Sequence, residues 1–357
     1  MNPWQRVQQL LLPITRHCNS FLSLFLLGIF ISVSIAACSG DNTTKPLAAN
    51  KDNVELTLVS FAVTKAAHAA IIPKFVHKWQ QEHHQTVTFK QSYGGSASQA
   101  RAVIDGLEAD VVHLSLGLDT ENIQKAGLIQ PGWEKEFPNH GIVSKSVAAI
   151  VTRPGNPKGI KTWADLTKND ITIISADPKT SGVARWNFLA LWNSVIKTGG
   201  DDAKAMDFVT KVYQNVPLLT KDARAATDAF FKQGQGDALI NYENEVILAV
   251  QEGEKLASVI PDVNVSIDNP IAVVDKNVDK HGTREVAEAF VKYLFTPEAQ
   301  QEFAKVGFRP VDKTVTAKYP KVSTLSTIED FGGWDAVQQK FFADGAIFDQ
   351  IQGKIRR

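Results

Sequence analysis

Val54-Glu55-Leu56-Thr57-Leu58-Val59-Ser60-Phe61 alternates apolar and polar side chains, and Ile71, Ile72, Phe75, Val76 and Trp79 follow at helical spacing. A period of two buries one face of an extended segment, whereas steps of three and four gather one stripe of a helix, so a strand and then a helix are predicted. The succession repeats, with strands over residues 86–91 and 110–116 and helices over 98–107 and 120–126. Strands joined through helices run parallel, because a crossover returns each strand to the same end of the sheet.

A second set follows. Residues 147–152 and 171–175 read as strands, 182–196 and 203–213 as helices, and the strand 238–242 lies between helices 222–231 and 243–251. Two extended runs within 263–275 carry the chain back, and helices are expected over 284–294 and 297–305, the second opened by Pro297 where no intrahelical N–H is needed. The expected fold is α/β with two lobes, each a mixed, mostly parallel sheet flanked by helices, and a ligand cleft between them. Lobe one is expected over 54–140, lobe two over 141–265, and a return to lobe one with C-terminal helices over 266–357.

The amino-terminal end reads as an export segment. Arg6 and Arg16 precede an uncharged run from Cys18 through Phe21-Leu22-Ser23-Leu24-Phe25-Leu26-Leu27 to Ala37, a basic region followed by an apolar core. Residues 1–37 are therefore expected to be a cleaved signal peptide, and 38–53 a polar tether. Ile35-Ala36-Ala37-Cys38 resembles the lipobox of bacterial lipoproteins, which would make Cys38 a lipidation site and leave the folded part periplasmic and tethered to the membrane. Ordinary cleavage beside an idle cysteine, or an uncleaved anchor, are the other readings.

The remaining chain of about 320 residues exceeds what one hydrophobic core usually serves, which agrees with two lobes. The whole sequence holds 38 basic and 38 acidic residues, two of the basic ones in the signal, and no like-charge block stands out. Nucleic-acid binding is not expected. With Cys18 removed, Cys38 is the last cysteine, so the mature domain has no internal disulfide and no thiolate zinc site.

Three places join a strand end, small residues and an incoming helix: Tyr93-Gly94-Gly95-Ser96-Ala97-Ser98, Lys179-Thr180-Ser181-Gly182-Val183 and Thr220-Lys221-Asp222-Ala223-Arg224. The first N–H groups of a helix lack intrahelical partners and carry partial positive charge, so an anion binds there without a full countercharge. Each place alone is equally a capped helix or a turn. Their recurrence at strand ends in both halves points to the crevice where open α/β sheets bind ligands.

Asp177-Pro178-Lys179-Thr180-Ser181-Gly182-Val183-Ala184-Arg185-Trp186-Asn187 closely resembles a signature of bacterial periplasmic sulfate-binding proteins, which normally begins with Asn. The resemblance continues through Lys90-Gln91-Ser92-Tyr93-Gly94-Gly95-Ser96, Gln99 to Leu107, Ala109-Asp110-Val111-Val112, Tyr242-Glu243-Asn244-Glu245, Phe331-Gly332-Gly333-Trp334 and Phe348-Asp349-Gln350. It implies a type II periplasmic binding protein fold, no enzyme activity, no cofactor and no metal. It further implies a monomer that delivers sulfate, or thiosulfate in some relatives, to the membrane permease and ATPase of an ABC importer. The ligand positions that it carries over are Ser96, the Ser181 hydroxyl and the N–H groups of Gly182, Val183 and Ala223.

Two positions depart from that pattern. The family's Ser-Tyr-Asp-Pro-Thr-Arg is Ser60-Phe61-Ala62-Val63-Thr64-Lys65 here, where the Ala62 N–H can still serve. The tryptophan whose indole N–H usually meets the anion is Tyr242, whose hydroxyl donates and can also accept. Sulfate carries no proton near neutral pH, so an all-donor cleft rejects hydrogen phosphate at a cost of about 1 to 3 kcal/mol for its unpaired O–H. Tyr242 softens this if it turns a lone pair inward.

Other readings leave specific expectations. Gly94-Gly95-Ser96-Ala97-Ser98 approaches the nucleophile elbow of serine hydrolases but lacks its last glycine, and no histidine stands in a context suggesting a partner base: His113 lies on a strand, His140 and His281 in polar loops. His83-His84 beside Glu82 is expected to be a solvated loop, because adjacent side chains point apart. Trp79, Trp186, Trp192 and Trp334 are expected in cores instead of a sugar platform, and Arg101 and Arg185 in structural or lobe-to-lobe pairing instead of clamping an anion. A purely structural envelope lipoprotein would show the same fold and bind no oxyanion.

Overall fold

A computed structural model describes residues 53–315 and 319–355. The expected signal peptide and Cys38 lie outside the described residues, as does the expected tether up to its last residue, Asn53, which instead begins the first strand. No helix among those described is long and apolar enough to cross a membrane.

The first half contains β1 (Asn53–Phe61), α1 (Lys65–His83), β2 (Thr86–Gly94), α2 (Ser96–Ile104), β3 (Val111–His113), α3 (Gly117–Lys125) and β4 (Ile142–Ser146). The middle of the chain contains β5 (Ala148–Thr152), β6 (Ile173–Ala176), α4 (Gly182–Ile196), α5 (Asp202–Gln214), β7 (Leu219–Thr220), α6 (Ala223–Phe231), β8 (Ala238–Tyr242), α7 (Glu243–Gln251) and β9 (Ala257–Val259). Then come β10 (Val263–Val265), β11 (Ile267–Val273), α8 (Asp275–His281), α9 (Arg284–Leu294), α10 (Pro297–Lys305), β12 (Thr324–Ser326), α11 (Gly333–Val337) and α12 (Ile347–Ile355).

Two five-stranded mixed sheets result, ordered β2-β1-β3-β11-β4 and β7-β6-β8-β5-β9. The strands that feed helices are parallel to their neighbours, β1 with β2 and β3, and β6 with β7 and β8. β11 and β5 run against their neighbours, as returning segments must. Alternation explains β1: Leu56 and Leu58 enter one apolar cluster, and Val59 enters another with Val103, Val112 and Ile123 on the opposite face.

Ile142–Ser146 was expected to open the second lobe, but it pairs with β11 in the first sheet. The change of sheet therefore falls at Val147, and β11 makes the return crossing after Ser266. Asn264 ties these crossings together: its side chain accepts from Ala148 N at 3.0 Å and donates to Ala148 O at 2.8 Å. The tail also differs from a simple return to lobe one. Phe341, Phe342 and Phe348 pack their rings on Phe188, which α4 presents beside the second sheet, because that helix is apolar nearly all round.

Candidate functional site

The carboxyl ends of both sheets face one cleft. β2 ends at Gly94 and α2 begins at Ser96; β6, β7 and β8 are followed by α4, α6 and α7, and β1 runs into a single 3-10 turn at Ala62–Thr64. Helix N-termini with unpaired N–H groups thus converge from opposite sides.

The approach is close enough to demand glycine twice. A Cβ on Gly95 would lie 2.4 Å from Thr180 O and 2.9 Å from Lys221 O, and Ser98 N donates to Thr180 O at 3.4 Å. A Cβ on Gly182 would lie 2.5 Å from both Cβ and Oγ of Ser115. Ser115 follows β3 and Gly182 opens α4, so this contact joins the two sheets' loops directly.

Tyr242 completes that junction. Its hydroxyl is 2.5 Å from Ser115 Oγ, the side chain is buried, and burial pushes the phenol above its ordinary range, so it stays protonated. Asn241, one residue earlier, donates to Ala223 O at 3.0 Å and so ties the Tyr242 strand to the first turn of α6. The turn at Ala62 rests against α6 as well.

Gly182 and Val183 open the first turn of α4, Ser181 precedes it, and all three are buried. Ser181 stands at the cap position, yet its hydroxyl makes no capping bond. Asp222 differs: its carboxylate accepts from Ala225 N at 2.8 Å and caps α6. Ser96 sits in the cleft, but its hydroxyl donates to Asp119 Oδ2 at 2.5 Å and accepts from Ser115 N at 2.9 Å. Its hydroxyl proton is therefore committed, and the donor left at that helix end is backbone N–H. Burial pushes the Asp119 carboxyl up, opposed by the Arg185 charge, the Ser96 bond and the Arg101 charge.

Ser115 and Asp119 were not singled out from sequence. Ser115-Leu116-Gly117 is a fourth strand end with small residues before a helix, the signal used at the other three places, and Asp119 is the acidic residue in that helix's first turn.

These features match known proteins. The model of the bacterial extracellular solute-binding protein family fits residues 56–309. The chain belongs to the bacterial extracellular solute-binding proteins. A sulfate-binding protein of Synechococcus elongatus is 57% identical over 94% of this chain and 96% of its own length. A thiosulfate-binding protein of Pseudomonas aeruginosa is 38% identical over 82% of this chain and 90% of its own. The solved structure of the sulfate-binding protein SubI from Mycobacterium tuberculosis superposes with a TM-score of 0.75 at 37% identity, covering 81% of this chain and 100% of that one.

As a solute-binding protein the chain has no use for a hydrolase reading of Ser96. That hydroxyl is engaged by Asp119 and Ser115, whereas buried His68 and His113 bond to each other at 3.1 Å, with Tyr93 OH at 3.1 Å beyond His68. His281, expected in a loop, ends α8 and meets Asp110 and Glu108. His83 stacks on Trp79 at 3.7 Å, and no group of three or more metal-type ligands occurs among the described residues. Trp79, Trp186, Trp192 and Trp334 are core residues. Arg185 donates to Pro178 O at 2.8 Å and to Gln338 Oε1 at 3.2 Å, which holds the α4 entry loop; Arg101 is exposed.

Proposed function

We propose that this solute-binding protein captures sulfate outside the cytoplasmic membrane and hands it to the permease and ATPase of an ABC importer. The observation that carries the reading is the approach of the α2 and α4 N-termini across the cleft, with the Tyr242 hydroxyl beside them. Backbone N–H groups of Ala62, Ser96, Gly182, Val183 and Ala223, with the hydroxyls of Ser181 and Tyr242, hold the dianion. Neutral donors suffice because they are preoriented and the anion's charge falls on three helix ends.

The lobes close around the anion because it bonds to both, which favours the closed population. The protein acts as a monomer, and a lipid on Cys38 keeps it beside its permease. Mass spectrometry of the protein from membranes, showing a diacylated Cys38 as first residue, tests that tether.

Calorimetric titration of the purified protein with sulfate, thiosulfate, phosphate and molybdate tests the assignment. One-to-one sulfate binding tighter than the rest is the expected result. Thiosulfate binding more tightly would move the assignment to that ligand. Silence toward all four would sink it.

A further inference from the structure

The Ser115–Tyr242 contact holds two hydroxyl groups 2.5 Å apart, and both residues are buried. Two oxygens share two protons. One proton lies between them, and the other is free to face the cleft.

Two arrangements follow. If Ser115 donates to Tyr242, the phenol proton points outward and meets an anion as a donor. If Tyr242 donates to Ser115, the phenol oxygen presents a lone pair, and the serine proton becomes the outward donor. A tyrosine alone reaches the second state only by leaving its proton unpaired, which costs about 1 to 3 kcal/mol when buried.

Ser115 is fixed for this role. Its N–H donates to Ser96 Oγ at 2.9 Å, and its carbonyl accepts from Trp186 Nε1 at 3.0 Å and Asn269 Nδ2 at 3.1 Å. Its Oγ overlies the first residue of α4, where an oxyanion is drawn by the helix end. The hydroxyl therefore borders the same volume as Tyr242, while the backbone around it cannot turn away.

We infer that Ser115 is a specificity-determining residue: by accepting the Tyr242 proton it lets the phenol oxygen accept from a singly protonated tetrahedral oxyanion, of which hydrogen phosphate is the test case. The inference rests on the sulfate site proposed above and deepens it. Sulfate uses the first arrangement and remains the main ligand. Hydrogen phosphate uses the second, its O–H donating to Tyr242 and one of its other oxygens accepting from Ser115.

Titrations at pH 8, where phosphate is chiefly the singly protonated dianion, compare sulfate, selenate and phosphate on the wild type, Ser115→Ala and Tyr242→Phe. In Ser115→Ala the phenol still donates, so sulfate and selenate affinities stay within about threefold while hydrogen phosphate weakens by about tenfold to a hundredfold. Tyr242→Phe keeps the ring, deletes the acceptor, and lowers hydrogen phosphate at least as far. Equal weakening of all three anions by Ser115→Ala would reduce Ser115 to packing, and a wild type that binds sulfate but no hydrogen phosphate at millimolar concentration would also overturn the inference. A wild type that ignores sulfate would overturn the site assignment itself and this inference with it.

Discussion

Gly182 and Ser115 face each other across the cleft so closely that a Cβ on the glycine would lie 2.5 Å from the serine Cβ and Oγ. Real Cβ atoms do not approach that far, so the closed arrangement requires glycine there. Gly182→Ala is expected to lower sulfate affinity about fivefold to 150-fold, because closure must overcome overpacking of about 1 to 3 kcal/mol. An open form relieves the clash, so the urea midpoint should change little. Small-angle scattering checks the mechanism: with sulfate the variant should keep a larger radius of gyration than the wild type.

Ser181 and Asp222 occupy equivalent cap positions but differ in what their side chains touch. Ser181 makes no cap bond, whereas Asp222 accepts from Ala225 N. Ser181→Ala should therefore weaken sulfate about tenfold to a hundredfold, the range for a lost hydrogen bond to a charged group, and leave stability nearly unchanged. Asp222→Ala should cost about 1 kcal/mol of stability through the lost cap. Calorimetry and urea melts separate the two effects.

The alternation that begins at Val54 and the helical stripe after it made the two-sheet plan legible, since periodicity follows burial directly. Several helices begin and end where the pattern predicts, among them Gly182–Ile196 and Arg284–Leu294. Partners could not be read. Ile142–Ser146 has the composition of a strand in either sheet, and only β11 decides which one it joins. Which atom of Ser96 is left for a ligand could not be read either, because Asp119, which takes its hydroxyl proton, lies in a different helix. Ser115 was missed because its meaning depends on Tyr242, far along the chain and on the other side of the cleft.

Phe342 links the tail to the α4 entry loop. It is buried, packs on Phe188 at 5.3 Å, lies under the Arg185 guanidinium at 5.3 Å, and its carbonyl accepts from Lys179 Nζ at 3.2 Å. Phe342→Ala should destabilise the protein by about 3 to 5 kcal/mol, as a large buried ring lost from a packed cluster does. Urea denaturation followed by tryptophan fluorescence measures it, Trp192 of the same cluster serving as reporter.

His68 and His113 make the fold acid-sensitive. Burial lowers His68 from its ordinary value of 6.5 to about 3, and burial with the neighbouring His68 lowers His113 well below its ordinary value. His113 Nε2 has no hydrogen-bond partner, and the rings of Phe61 and Phe303 stand edge-on around it, so a proton there would be an uncompensated charge. A histidine whose folded value is depressed binds fewer protons folded than unfolded below pH 6.5, so its contribution is intact above that pH and is lost as pH falls toward the folded value. For His68 the loss between pH 7 and pH 5 is roughly 2 kcal/mol. The raised carboxyls of Asp119 and Glu245 act with the opposite sign, holding protons in the fold just above their ordinary range and so favouring the fold as pH falls through that window. His68→Gln isolates the histidine, because the amide can still meet Tyr93 and His113 but cannot titrate. The difference in unfolding free energy between wild type and variant should shift against the wild type by that amount from pH 7 to pH 5. A constant difference would show that the pair is already charged, or already exposed, in the folded protein.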